Sequence, residues 1–369
     1  MKGLFDGIRV LSLAEQFPGP YATLLMADLG ADVILVERPG IGDPARAFPA
    51  FFRSLARNKR SVCLDLKAAP DRDAFLALVD TADVVMEGYR PGTMEKLGLG
   101  YDVLKARNPR LVHVSITGFG QTGPARMRPA HDLSYQGVAG MIRQTKGGEP
   151  ALPDLAIGDL SSGTFAAFAT ASALFARERT GQGTTIDVSM TDGLVSWMTP
   201  YLVPHVAGDS PFDVHDEPAY GAFRCADGTY LTLSIAHEDH FWAGLCRALG
   251  SEDLASLTGA QRRARSPELR HLIANRIARH DRSHWSTLFD RDGIAWSPLY
   301  DLDGVAADPH FVARGLFRDV ATKTGSERHV AQPVRFSAYA TEIRRPAPAL
   351  GEHGDEVLGR IRKGRVADR

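Results

Sequence analysis

Cysteine is scarce: Cys63, Cys225 and Cys246 are the three in 369 residues, with no C-x-x-C and no metal-ligand spacing. That excludes a disulfide framework and suits a reducing compartment, where the three act as small buried hydrophobes. An excess of one charge sign is also missing, with 43 Lys+Arg against 44 Asp+Glu. Such a balance leaves no broad field for nucleic acid or an anionic membrane, so neither is expected as a partner. Long apolar runs are absent as well. The longest weakly polar stretch, Thr164–Ala176, is too short and too rich in Ser and Thr to span a bilayer. The start, MKGLFDGIRVLSLA, carries charges that break any signal-peptide core. A soluble, cytoplasmic protein is expected.

Several catalytic signatures are lacking too. AEQFPGPYA, not G-x-G-x-x-G, follows the first apolar strand pattern, which disfavours bound NAD or FAD. No P-loop, G-x-S-x-G elbow or H-E-x-x-H occurs, and His237-Glu238-x-His240 has the wrong spacing for a helical zinc site. NTPase, serine hydrolase and metalloprotease are therefore poor candidates, and no metal site is expected.

What is present is a regular alternation. Ile8–Ala14, Ala31–Glu37, Ser61–Leu66, Asp83–Glu87 and Leu111–Thr117 read as buried strands. Between them Tyr21–Leu29, Asp71–Asp80 and Tyr101–Asn108 have helical spacing. This predicts an α/β fold, a doubly wound parallel sheet of Rossmann-like type. A long small-residue helix over Ser161–Arg179 and a strand over Thr185–Met190 follow. Beyond Pro200, the D-G turn at Asp227-Gly228 joins Ala222–Arg224 to Tyr230–Ser234 as a hairpin. Helices are expected over His240–Leu249, Leu269–Arg279 and His284–Asp290. Residues 1–199 are read as a large domain, 200–315 as a smaller α+β domain, and 316–369 as a Pro-rich, then helical return to the first.

Two segments carry candidate chemistry. AHDLSY (130–135) sets His131 beside Asp132 after a loop rich in glycine and proline, and IGDLSSG (157–163) sets Asp159 at a helix head. A His and an Asp from separate segments can hold two proton-transfer groups on opposite sides of one carbon. Asp before Ser-Ser is also an ordinary helix N-cap, and a carboxylate there is stabilised as the anion. Arg38, Lys67 and Arg90 stand at successive strand-to-loop junctions, where open α/β sheets bind ligands, and suit phosphates. Arg57-Asn58-Lys59-Arg60 adds a further basic cluster. Met141 and Met190 suit an acyl pocket, although core packing is the ordinary role of methionine.

The sequence resembles the class III CoA-transferase superfamily of CaiB/BaiF type, which includes α-methylacyl-CoA racemases. The resemblance runs through nearly the whole chain: MADLGADVILVERPG, RNKRSVCLDLK, EGYRPGTMEKLGLGYD, TGFGQTGP, AHDLSYQGVAG, GDLSSG, RTGQGTTIDVSMTDG, DPHFVARGLF and LGEHGDEVL. It implies a CoA-binding large domain, a smaller domain, and two subunits interlocked as a homodimer. It further implies that Arg38, Leu64, Leu66, Lys67 and Arg90 contact the adenine and phosphates of CoA, with Asp132 and Tyr135 also at that site. No cofactor is expected beyond the CoA carried by the acyl-CoA substrate.

Asp159 matches the superfamily's carboxylate. In transferase members it is a nucleophile that passes through a mixed anhydride and a covalent CoA thioester. In racemase members it is one of two acid/base groups, opposite a His paired with a Glu. The racemase-like H-D-[IL]-[NS]-Y pattern at His131, with Glu238 as the matching Glu, makes a 2-methylacyl-CoA racemase acting through an enolate the first expectation. The absence of a glycine-rich loop of the kind that shields the thioester in some transferases points the same way. Ala295-Trp296 stands where racemases carry a Cys-containing segment, which points away from it. A CoA-transferase is the second expectation, and a non-catalytic CoA-binding paralogue the third.

Overall fold

The computed structural model describes residues 3–142, 148–209, 214–323 and 325–359. The chain divides into two compact units, 1–200 with 315–369, and 201–314.

The first unit begins with β1 (Arg9–Ser12), α1 (Pro18–Asp28), β2 (Asp32–Glu37), α2 (Pro49–Ala56), β3 (Lys59–Cys63) and α3 (Ala69–Val79). It continues with β4 (Val84–Glu87), α4 (Thr93–Lys96), α5 (Tyr101–Arg107) and β5 (Val112–Thr117). Then come α6 (Asp132–Val138), α7 (Ile157–Thr180), β6 (Thr184–Ser189) and α8 (Met190–Trp197). Among the described residues the sheet has six parallel strands in the order β3-β2-β1-β4-β5-β6. That is the doubly wound architecture expected from the alternation, with its topological switch between β1 and β4.

Side chains alternate across each strand and fill two cores, one per face. Val10, Val33, Val84, Met86, Val112, Val114 and Ile116 pack with Ala22, Met26, Ala166 and Leu174 of α1 and α7. Leu11, Ile34, Val36, Val62 and Val85 pack with Phe75, Leu78 and Leu104 of α3 and α5. Val357 and Leu358 of the C-terminal return join the second core, and His353 donates its N–H to the Ser61 carbonyl at 2.9 Å.

The small residues of α7 have a packing reason. Ser161, Ser162, Gly163, Ala166 and Thr170 are buried, and a Cβ at Gly163 would lie 2.7 Å from the Pro18 carbonyl oxygen. A larger side chain would part α1 from α7. The helix ends at Gly181, left-handed with φ 68°. It begins four residues before the expected Ser161, because Asp159 sits inside the first turn.

The cluster at 57–60 turns out to be structural rather than phosphate-facing. Arg57 pairs with buried Asp28 at 2.7 Å, and Arg60 pairs with Asp32 and Glu356. Lys59 is wholly buried, its Nζ donating to the Pro20 carbonyl at 2.7 Å and to Thr23 Oγ1 at 2.8 Å. Burial pulls its pKa down to about 7. Asn58 takes a left-handed φ of 63° and accepts the N–H groups of Arg344 and Arg345, stapling the return segment.

α9 (Thr199–Ala207) leads into the second unit. There β7 (Tyr220–Arg224), β8 (Tyr230–Ser234) and β9 (Trp296–Pro298) form an antiparallel sheet. With it are α10 (Asp239–Ala248), α11 (Gly259–Ala264), α12 (Ser266–Ile277) and α13 (Arg282–Asp292). Phe223, Leu231, Trp242, Leu269, Trp285 and Phe289 build its own core. Cys225 and Cys246 are buried, and Cys63 is partly exposed. An antiparallel hairpin that the sequence reading missed, Phe317–Thr322 with Gly325–Val330, belongs to the first unit. Among the described residues no helix is long and apolar enough to cross a membrane, and no group of three metal-ligating side chains occurs.

Candidate active site

A cavity of about 210 Å³ opens at the sheet's switch point, where the strand order reverses. Leu13 beyond β1, Gly88 and Tyr89 beyond β4, and Ile116 of β5 line it, together with Glu15, Gln16 and Phe17 of the β1–α1 loop and Pro18 at the start of α1. His131 and Asp159 both line it. The two segments singled out in the sequence therefore do converge.

Their convergence has a local cause. The N-cap residue of α7 is Ala156, and no side chain of α7 caps the helix, so the orphan N–H groups of its first turn need outside partners. Asp132, in the first turn of α6, supplies one: its Oδ1 accepts the Asp159 N–H at 3.1 Å. Gln136 donates to Asp132 Oδ2 and to the Leu155 carbonyl, the latter at 3.0 Å. Gly158 permits this approach, since a Cβ there would lie 2.8 Å from Asp132 Oδ1. Asp159 is thus not the cap expected of it; Asp132 occupies that role from 27 residues away.

The consequence is electrostatic. A helix N-terminus favours a nearby anion, but Asp132 already takes that place. Asp159 is left partly buried beside a like charge. Burial first, and Asp132 second, push its carboxyl up from 3.8 to about 7. His131 is exposed and extended, the residue before α6. Tyr135 is buried, donates its hydroxyl to the Ala130 carbonyl at 2.7 Å, and packs edge-on against Phe119. Its ring lies over Gly118, where a Cβ would meet the hydroxyl at 2.5 Å. Glu87, buried at the end of β4, accepts the Tyr89 N–H at 2.6 Å, and burial raises its pKa to about 7.

A second cavity, about 370 Å³, shares the wall of Gly88, Tyr89, Ile116, Ala130, His131, Tyr135 and Met190. Arg90, Arg126 and Arg128 line it together with Phe119 and Met127. Arg126 and Arg128 escaped the sequence reading; the R-x-R spacing in ARMRP after the glycine loop was the available signal. Met190 lines both cavities, whereas Met141 packs against the core.

The remaining candidates are more scattered. Arg38 is exposed beyond β2 with its guanidinium 3.5 Å from Glu15. Lys67 is exposed beyond β3 and does not line either cavity. Leu64 and Leu66 are buried among Val36, Val62 and Leu78 and offer little surface to any ligand. Glu238 is in the second unit, the residue before α10, where it accepts the Ala236 N–H at 3.0 Å. Bonds from its own N–H and that of Ala236 hold its carboxyl below the usual range.

The model of CoA-transferase family III matches residues 5–354. The chain belongs to CoA-transferase family III. Over 96% of its length it is 35% identical to an acetyl-CoA:oxalate CoA-transferase of Acetobacter aceti, covering 94% of that protein. Over 96% it is 34% identical to a succinyl-CoA:mesaconate CoA-transferase of Haloarcula hispanica, covering 96% of it. Among solved structures, a CaiB/BaiF family protein from Brucella suis superposes with a TM-score of 0.87 at 31% identity, over 98% of this chain and all of that one. These names favour the second of the three expectations, a transferase, over the racemase placed first.

Proposed function

We propose that this family III chain is a CoA-transferase that moves CoA from an acyl-CoA to a carboxylic acid through Asp159. The observation that carries the reading is the Asp159 carboxylate on a cavity that shares a wall with an arginine-lined one. Arg90, Arg126 and Arg128 suit the phosphates of CoA, and Arg38 beyond β2 is available to the same ligand. Tyr135 lines both cavities, whereas Asp132 then acts on the site through the Asp159 N–H rather than on CoA directly.

In the proposed reaction an Asp159 oxygen attacks the thioester carbonyl, the C–S bond breaks, and CoA leaves as thiolate. The resulting mixed anhydride is attacked by that thiolate at the Asp159 carbonyl carbon. The donor acid departs as carboxylate, and an aspartyl-CoA thioester remains. The acceptor carboxylate then displaces CoA as a new anhydride, and thiolate attack on the acceptor's carbonyl releases acyl-CoA and free Asp159. Atoms and charge balance without water, which a partly buried nucleophile favours. The relatives' names make small dicarboxylic acids the first acceptors to try.

The test is incubation with acetyl-CoA or succinyl-CoA and a panel of dicarboxylates, followed by mass spectrometry of new acyl-CoA species. Transfer that is lost in Asp159→Ala supports the reading; hydrolysis alone or no reaction across the panel overturns it. His131 on the same cavity favours one second reading, α-proton exchange between His131 and Asp159. Deuterium uptake and loss of chirality in a 2-methylacyl-CoA, without any acid acceptor, would identify that chemistry.

A homodimer is also proposed. Phe168 and Phe175 lie seven residues apart on α7 and are 70% and 68% exposed, an apolar stripe that suits self-association. Sedimentation at a single-chain mass would refute it.

A further inference from the structure

Within the cavity wall between β1 and α1, Gln16 has a φ of 67°. A residue with a Cβ adopts that left-handed conformation only where its surroundings hold it. Asp43 does so: the Gln16 N–H donates to its two carboxylate oxygens at 3.0 and 3.2 Å. Asp43 is itself buried and fixed from three sides. Its Oδ1 accepts the Ala45 N–H at 2.8 Å, its own N–H donates to Glu37 Oε1 at 2.9 Å, and the turn before it is closed by left-handed Gly42. Glu37, at the end of β2, is clasped by Arg46 through Nε and Nη2 at 2.7 Å each and receives the Ser61 hydroxyl from β3. A buried polar network thus runs from two sheet strands to one backbone amide in the wall that Asp159 also lines. None of its members takes part in the transfer steps.

We propose that Asp43 is a positioning residue of the active site, holding residues 15–18 in shape for chemistry at Asp159 by enforcing the left-handed backbone of Gln16. The inference rests on the transfer reading of Asp159. Backbone displacement next to a reacting carboxylate acts on turnover more than on affinity for a ligand held elsewhere.

A double-mutant cycle on the full chain tests it, with CoA transfer measured for Asp43→Ala, Gln16→Gly and the pair. Asp43→Ala alone should lower kcat roughly tenfold with KM for the acyl-CoA within about twofold. Glycine adopts positive φ without support, so in the Gln16→Gly background the same change should cost only about twofold. Equal losses in both backgrounds overturn the proposal. So does a lower melting temperature with kcat per folded molecule unchanged. If Asp43→Ala does not fold, Asp43→Asn, which keeps one acceptor oxygen, goes through the same cycle and is judged by the same coupling. A wild-type protein that transfers CoA but gives an additive cycle sinks the Asp43 role alone. One that transfers to no acid sinks the Asp159 reading and this inference with it.

Discussion

Replacing Asp159 with asparagine removes the proposed nucleophile, and it should also make the fold more stable above neutral pH. The carboxyl is raised from 3.8 to about 7 by burial and by the Asp132 charge. A folded-state pKa above the unfolded one means that the folded chain holds this proton more tightly. Its stabilising contribution is complete below about pH 4, shrinks as pH rises, and is gone above the folded value of about 7. At about 1.4 kcal/mol per pH unit, the stability lost between about pH 4.5 and the folded pKa is at most about 3.5 kcal/mol. The group is partly solvent-facing, so about 2 kcal/mol is expected after screening. The asparagine variant lacks this titration. Urea unfolding of both proteins at about pH 4.5 and about pH 8.5 isolates the effect, because every other titrating group is common to both. The stability gap between Asp159→Asn and wild type should widen toward high pH by about 2 kcal/mol. A gap that does not change with pH would refute the argument that burial and Asp132 destabilise the Asp159 anion.

Asp132→Asn keeps an acceptor for the Asp159 N–H but removes the neighbouring charge, so the acid limb of the transfer pH profile should move to lower pH. An unmoved limb in a stopped assay would show that the Asp132 charge does not act on Asp159. Asp132→Ala loses the acceptor as well and should lower stability by about 1 kcal/mol, the usual cost of a missing helix cap, read by thermal melting. Gly158→Ala drives a Cβ to 2.8 Å from Asp132 Oδ1; transfer should fall at least about tenfold while the fold survives, since the displaced groups lie at the proposed nucleophile Asp159. Arg126→Ala and Arg128→Ala should each raise KM for acyl-CoA by about tenfold with kcat nearly unchanged, as expected for lost charge-assisted phosphate bonds.

The errors in the sequence reading have physical causes. Asp-Ser-Ser has the same local pattern at a helix cap as within the first turn, and the true capping carboxylate, Asp132, is remote in sequence. The basic run 57–60 looked like a phosphate site because charge is visible in a sequence and its partners are not. Asp28 and Asp32, which neutralise Arg57 and Arg60, lie on a helix end and a neighbouring strand. The hairpin at 317–330 has few apolar residues, with Val320 and His329 its buried members. Its alternation was too weak to read.

The order along the chain of the six strands of the first sheet, and of α1, α3, α5 and α7 between them, was legible in the sequence alone, since period-two and period-3.6 apolar patterns are local properties of the chain. The same is true of the family, whose motifs run from Met26 to Leu358, and of His131 and Asp159 as the groups to watch. Only the tertiary structure decided what those groups experience. The reversal of strand order opens a cavity between β1 and β4. Gly158 and Gly163 let carboxylate and helix approach closely, and Asp132 takes the helix terminus that would otherwise have stabilised the Asp159 anion. A pKa follows from burial and neighbouring charge, which depend on distances through space rather than along the chain.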